Sequence, residues 1–432
     1  MSQTNQQWQQ RRETAVTAGV GNSLQVYVAK ALNAEIWDVE GKHYIDFASG
    51  IAVVNTGHNH PEVIRAVAAQ LECFTHPCFQ VTPYGSYIEL AERLNERVPI
   101  GEPTQTLLMT TGAEAVENAI KIARIATGRS GVIAFRGGFH GRTLLGMALT
   151  GKVQPYKKGY GPFPGGIFHA PYPCSYLGIS ESQSLAALQG IFAADVSPDD
   201  VAAIIIEPVQ GEGGFYAAPA SFLQQLRAVC SEHGIVLIAD EIQSGFCRTG
   251  KTFAIEHSGV EPDIVTMAKS LAGGFPLSAV VGRKSLMARA QAGGLGGTYA
   301  GSPVSIAAAL AVVQLIDDEQ LNQRAVQQGE WLMTALRQMA EEFDAIGEVR
   351  GVGAMVAIEL VEAGDGSRPD KAITQALVQE AGRQGLILLS CGVRGNVIRF
   401  LIPLTASKEI VMEGLKRLSS SLRVVQNTRP AK

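Results

Sequence analysis

Between about residues 60 and 320, short apolar runs alternate with amphipathic stretches. That alternation predicts strand–helix units on a mainly parallel sheet. The clearest strands are Leu107–Met109, Val132–Phe135, Ala203–Ile206, Ile235–Ala239 and Ile264–Met267. Their continuous apolar character fits strands covered on both faces. Helical patterns such as Glu114 to Arg124 and Ala220 to His233 lie between them. Before residue 60 the pattern is one of short strands: Leu24 to Val28, Ala34 to Val39, a turn at Glu40-Gly41, then Tyr44 to Phe47. Beyond 320, long helical patterns (Leu321 to Phe343, Lys371 to Gln384, Ser407 to Leu422) alternate with strands near Met355–Leu360 and Val397–Phe400. The reading is an α/β chain with a large domain over 59–320. Residues 1–58 and 321–432 form a smaller α+β domain from both termini, because nothing near the early strands gives them a sheet.

Composition narrows the class. The chain is 46% hydrophobic and 18% charged, with 47 glycines, which is ordinary for a globular protein. The net charge is −4 with no block of like charges, so nucleic acid is not an expected partner. Anionic substrates would have to be bound by individual arginines. None of the six cysteines forms a C-x-x-C pair, which argues against a zinc or iron–sulfur framework. The polar start, Met1 to Arg12, lacks the apolar core of a signal peptide. The apolar run Ile306 to Val313 is too short to span a bilayer. A soluble cytoplasmic protein with no membrane partner is expected.

Candidate chemistry lies at the strand ends, where open α/β sheets bind ligands. Ile204 to Ile206 runs into Glu207, Ile235 to Ala239 into Asp240-Glu241, and Ile264 to Ala268 into Lys269. A charge after a buried strand is costly unless it is paired or sits in a polar site. Three from separate strands point to a shared site. After Leu107–Met109 comes Thr110-Thr-Gly-Ala-Glu-Ala-Val-Glu117, a small-residue turn opening a helix with Val116, Ile120 and Ala123 on one face. Such an N-terminus suits a phosphate. Taken alone, a capped helix without a ligand is the simpler reading. A lysine, an acid and a phosphate cradle are together what pyridoxal 5′-phosphate requires.

A competing motif is Gly245-Phe-Cys-Arg-Thr-Gly-Lys-Thr252, which matches the P-loop pattern of nucleotide-binding proteins. Its context is wrong. Glu241 to Ser244 separate it from the strand, and Gly259 and Pro262 follow too soon for a full helix. His58 and His60 could suggest a metal, but Gly57-His-Asn-His-Pro61 reads better as a turn entering a helix. With no third ligand in view, no metal is expected.

From about Arg11 to Leu422 the chain resembles the class III (ω-) aminotransferases of fold type I, most closely the bacterial 4-aminobutyrate group. The carrying motifs are Thr111-Gly-Ala-Glu-Ala-Val-Glu-Asn118, Phe139-His-Gly-Arg142, Glu207-Pro-Val-Gln-Gly-Glu-Gly-Gly214, Ile238-Ala-Asp-Glu-Ile-Gln243 and Ala268-Lys-Ser-Leu-Ala-Gly-Gly274. The family pattern also contains the Arg248-Thr-Gly250 loop, which makes the P-loop match a coincidence. The resemblance implies a large pyridoxal phosphate-binding domain with a seven-stranded, mainly parallel sheet. It makes Lys269 the imine-forming lysine and proton shuttle, and Asp240 the partner of the ring nitrogen. Gln243 would contact the ring hydroxyl, and Gly112 and Ala113 the phosphate through backbone N–H groups. Phe139 would stack on the ring; many relatives carry Tyr there, and Phe keeps the face while losing the hydroxyl. Thr298 would reach the phosphate of a neighbouring subunit, which implies a homodimer or tetramer with active sites at the interface.

The implied reaction is ping-pong transamination of 4-aminobutyrate with 2-oxoglutarate, giving succinate semialdehyde and glutamate. The alternatives are the related ω-aminotransferases of 5-aminovalerate, ornithine or acetylornithine. Arg142 would bind the remote carboxylate of each substrate, and Arg399 the second carboxylate of 2-oxoglutarate. Glu212 would cover Arg399 when a monocarboxylate is bound. Ile51 would line the pocket. Glu207 would meet Lys or Arg partners at the mouth of the site, and His140 reads as a structural hydrogen-bonder.

Overall fold

The computed structural model describes residues 3–362 and 364–427. The chain forms two compact units, one of Glu62–Asn322 and one of Met1–Pro61 with Gln323–Lys432. Among the described residues, no helix is long and apolar enough to cross a membrane.

The larger unit is built on a seven-stranded sheet. From edge to edge the strands are Thr104–Met109, Ser278–Arg283, Ile264–Met267, Val236–Asp240, Val201–Ile206, Gly131–Phe135 and Ile167–Ala170. The last five in that order run parallel. Every residue of Gly131–Phe135, Val201–Ile206 and Val236–Asp240 is buried, as their unbroken apolar runs require. Helix Gly112–Thr127 packs Val116, Ile120 and Ala123 into the core beside Val132, Ala203, Ile238 and Val280. The sequence reading had no strand at Ser278–Arg283, which runs antiparallel to both of its neighbours. The cause is local. Lys269 and Ser278 are joined by a short turn through Gly273 and Gly274, both at positive φ. A parallel crossover needs a dozen residues or more, so a reversal is the only connection that fits.

In the smaller unit, Leu386–Ile387 pairs in parallel with His43–Asp46, which extends the sheet of Val28–Leu32 and Glu35–Asp38. The two ends of the chain therefore share a sheet. The expected first strand, Leu24 to Val28, lies too early: the strand is Val28–Leu32. Leu24 instead packs on Gly382, where an added Cβ would come within 2.8 Å of its Cδ2, and the Tyr27 N–H donates to Asn5 Oδ1. The Gln-rich start forms helix Asn5–Ala15, capped by Thr4 and Gln7.

One ion cluster around a buried carboxylate, with two half-buried arginines, ties the amino ends of the large sheet together. Asp263 precedes its strand and accepts from the Leu237 N–H at 2.7 Å and from Arg227 Nη1 at 2.7 Å. Arg283 Nε lies 3.1 Å from its other oxygen. Two strands and helix Ala220–His233 thus meet on one carboxylate. Asp263→Ala should cost about 3 kcal/mol, because two guanidiniums and a strand N–H lose a buried acceptor. Urea unfolding at fixed protein concentration measures this; a loss under about 1 kcal/mol would show the cluster to be dispensable.

Candidate active site

Three neighbouring parallel strands deliver the three charges. Val201–Ile206 ends before Glu207, Val236–Asp240 ends on Asp240, and Ile264–Met267 is followed by Ala268 and Lys269. Lys269 opens a 3-10 turn with φ of 47°, the left-handed region that costs a non-glycine residue energy. Asp240 is 2% exposed. His140 Nδ1 donates to its Oδ2 at 2.7 Å, so the ring nitrogen facing Asp240 carries a proton. Thr266 Oγ1 donates to its Oδ1 at 3.2 Å and the Ile242 N–H at 3.1 Å. Burial alone would lower the His140 pKa; the Asp240 hydrogen bond and the charges of Asp240 and Glu207 outweigh it and raise it. Glu241, the next residue, turns away. Its carboxylate accepts from the Ile255 N–H and Ser244 Oγ and so fastens the following loop.

Glu207 has other partners than the expected lysine or arginine. Its two oxygens accept the backbone N–H groups of Phe139 at 2.9 Å and Gly211 at 3.0 Å. It therefore joins the segment carrying Phe139 and Arg142 to the turn carrying Glu212. Burial pushes its pKa up to about 7; the His140 charge pulls it down, Asp240 pushes it further up, and the two N–H groups lower it.

Glycines bring the loops into contact. A Cβ on Gly112 would lie 3.0 Å from Ile242 Cδ1 and 3.5 Å from Ala268 Cβ. The helix start thus sits between the Asp240 loop and the Lys269 loop. A Cβ on Gly141 would lie 2.8 Å from Ala113 Cβ, and one on Gly211 would overlap Gln243. Phe139, Arg142 and Glu212 meet on Tyr156, which no motif singled out. The Phe139 ring lies 5.1 Å from the Tyr156 ring, Arg142 Cζ lies 5.3 Å over it, and the Tyr156 hydroxyl is 3.4 Å from Glu212 Oε2. Thr266 was also missed; its one signal is a hydroxyl inside an apolar strand.

Thr298 is exposed in the turn after Gly293. Ile51 and Arg399 belong to the smaller unit. Ile51 is 43% exposed, with φ of 69°. Arg399 is buried on strand Val397–Phe400, between Ala357 and Leu389. The P-loop reading fails on geometry. Gly245–Thr252 follows a turn and leads to a 3-10 segment, Ala254–Ser258, and Lys251 is exposed.

The class-III aminotransferase family pattern matches residues 16–422. The chain belongs to the class III aminotransferases. It is 54% identical to the 5-aminovalerate aminotransferase of Pseudomonas aeruginosa, covering 97% of this chain and 98% of that one. It is 53% identical to the 4-aminobutyrate aminotransferase of Escherichia coli, covering 96% and 98%. Its fold is similar to that of a PLP-bound amine transaminase from an uncultivated Pseudomonas species, with a TM-score of 0.87, 29% identity, and 95% and 99% of the chains covered. This class III chain is thus a pyridoxal phosphate-dependent aminotransferase of the ω type, and the fold type I architecture expected from its motifs is present.

The residues fit the cofactor. Glu114 accepts the N–H groups of Thr110 and Thr111, and its own N–H goes to Thr111 Oγ1. The N–H groups of Gly112 and Ala113 have no acceptor among the described residues, which leaves two donors at a helix start for a phosphate. Gln243 Oε1 is buried and also lacks a partner among the described residues. A ring hydroxyl would satisfy it.

The raised Glu207 pKa has a consequence for stability. Between its unfolded value near 4.5 and about 7, the folded chain holds a proton that the unfolded chain has lost. Its contribution is complete below that window and disappears as pH rises through it. Relative to Glu207→Gln, cofactor-free enzyme should lose up to about 3 kcal/mol between pH 4.5 and 7, then stay level. Urea titrations of both proteins across that range measure the difference, and a constant offset would refute it.

Proposed function

We propose that this aminotransferase moves the terminal amino group of 4-aminobutyrate to 2-oxoglutarate, yielding succinate semialdehyde and L-glutamate in a ping-pong cycle. The observation that carries this reading is the meeting of Arg142 and Glu212 on one tyrosine. A cation for a remote carboxylate and an acid able to mask a second cation are what an enzyme needs if it alternates between mono- and dicarboxylates.

When bound, pyridoxal phosphate supplies an aldehyde carbon that takes up the donor nitrogen and a ring that accepts the electron pair left by C–H cleavage. The remaining work falls to the chain. Asp240, fixed by His140 and Thr266, holds a proton on the ring nitrogen. Lys269 Nζ removes the proton from the donor carbon bearing nitrogen. Gly112 and Ala113 hold the phosphate, Gln243 the ring hydroxyl, and Phe139 covers one ring face. Thr298 completes a neighbouring subunit's phosphate site, so the working unit is at least a homodimer.

Arg142 takes the carboxylate remote from the reacting carbon. Its planar fork suits bidentate binding. Arg399 takes the second carboxylate of 2-oxoglutarate, and Glu212 neutralises Arg399 when the donor has none. A buried guanidinium left without a counter-charge would cost several kcal/mol. Ile51 offers an apolar contact to the methylene chain. A second reading has support of its own: the Pseudomonas relative acts on 5-aminovalerate, one methylene longer. Such a difference is worth only about 1–3 kcal/mol in an apolar pocket.

A donor panel with 2-oxoglutarate as fixed acceptor tests the assignment through glutamate formation. 4-Aminobutyrate should give the highest kcat/KM; a higher value for 5-aminovalerate would transfer the assignment to that donor. Lys269→Ala should lower turnover by at least about 10³-fold, the scale of a lost general base. Near-normal turnover would end the scheme. Glu212→Ser should harm the 4-aminobutyrate half-reaction more than the glutamate one, and equal losses would rule out masking of Arg399.

A further inference from the structure

Val236 and Asp263 stand at the starts of two parallel strands whose far ends lead to Asp240 and Lys269. Beside those starts, within the larger unit, lies a cavity of about 470 Å³. Small-molecule sites span roughly 300–1,000 Å³. The cavity shares no lining residue with the candidate active site.

Its charge is unbalanced. Arg129, Arg227 and Arg283 line it against one acid, Asp263. On a chain of net charge −4, that is a local surplus of positive charge. Cys230 does not offset it, because burial pushes its thiol up to about 12 and keeps it neutral. Helices Gly112–Thr127 and Ala220–His233 both end at the cavity, and the carbonyl end of a helix repels anions. Both ends are covered from within the chain. Arg129 Nη1 donates to the His233 carbonyl at 2.8 Å, and Thr127 Oγ1 to that of Ala123 at 2.8 Å.

The guanidiniums also have donors left over, since each carries five N–H groups. Arg227 uses Nη1 on Asp263 and Nε on Ser231 Oγ. Arg129 donates through Nη1 to four backbone carbonyls. Arg283 pairs through Nη1 with Glu102 at 3.3 Å. Its Nε lies 3.1 Å from Asp263 Oδ1 but off the line of a hydrogen bond, and is buried without an acceptor among the described residues. No Nη2 of the three donates a hydrogen bond among the described residues. A half-buried donor without an acceptor is costly, and planar forks beside one another suit an oxyanion.

We propose that this cavity binds a phosphate group, as the free ion or as part of a small phosphate ester, apart from the cofactor phosphate. The three arginines hold it, and the Ser285 hydroxyl on the same wall offers a further donor. Because the folded chain alone presents these groups together, the ligand stabilises the strand starts that Asp263 ties together.

Inorganic phosphate titrated by calorimetry into the holoenzyme, whose cofactor fills the other phosphate site, tests this at ionic strength held fixed with chloride. One saturable site per chain is expected. Arg227→Gln should weaken it at least about tenfold, the scale of one hydrogen bond between charged groups. That variant also takes a partner from Asp263, so a second one is needed. Ser285→Glu removes no hydrogen bond made by a side chain among the described residues and sets a negative charge on the wall. It should weaken binding as much while turnover of the amino donor stays at the wild-type rate, which reports an intact fold. Ser285→Gln, of the same size, should stay within about threefold of the wild type. Arg142→Gln, in the candidate active site, should keep full affinity for the ion.

Glycerol phosphate separates the two sources. Binding about tenfold tighter than inorganic phosphate assigns the cavity to an ester, and equal or weaker binding assigns it to the ion. Absence of a saturable site would overturn the proposal. So would unweakened binding in Ser285→Glu, or binding lost in Arg142→Gln and kept in Arg227→Gln.

Discussion

A carboxylate almost without solvent has to be held by hydrogen bonds, and here that carboxylate is Asp240. His140 and Thr266 donate to it from side chains, and Ile242 from the backbone. Each donor comes from a different part of the larger unit, so satisfying Asp240 fixes three segments at once. His140 brings the charge of Glu207 into the network, since Glu207 and Asp240 both favour its protonated form. Glu207 in turn holds the N–H groups on either side of the site. Asp240 is thus anchored by His140 and, through the charge that His140 feels, coupled to a second acid, Glu207. Such support orients an active group without demanding strain from the group itself.

Close packing does the rest. The loops that carry Lys269, Asp240, Phe139 and Glu212 come from distant parts of the chain, yet neighbouring side chains pack directly onto their backbone where glycine leaves room. Gly112 against Ile242, and Gly141 against Ala113, are contacts that a single methyl group would crowd. The glycine-rich motifs are therefore spacing devices as much as turns. Gly112 has both duties, because its free N–H belongs to the helix start that is open to a phosphate.

The strands ending in charge were legible because burial on both faces leaves a continuous apolar signature. Val201–Ile206 and Ile264–Met267 stand out for that reason. Strand Ser278–Arg283 did not, since its start in serine and its end in glycine and arginine break the run. The Gly273-Gly274 reversal was the available clue to it. At the site, the lysine and the acid at their strand ends and the turn that opens helix Gly112–Thr127 could be read from local sequence. Glu207 could be found but its partners could not, because they are backbone groups that only the folded chain brings near. Tyr156 was invisible: its three contacts are all long-range, and no periodicity marks it.

Backbone strain gives a different kind of evidence about the smaller unit. Ser49, Gly50, Ile51 and Ala52 all have positive φ, a left-handed turn in which only glycine is at ease. Each of the other three costs about 1–2 kcal/mol, and Ile51 is the worst placed because its Cβ is branched. Asp46 meets part of that cost. It is 1% exposed, accepts the N–H groups of Ala48 and Ser49, and is itself paired with His58 at 2.9 Å. The Ile51 side chain is 43% exposed. A glycine would hold the same turn at lower cost. A branched apolar side chain in this conformation, outside the core, marks the turn as one of the most strained stretches of the smaller unit.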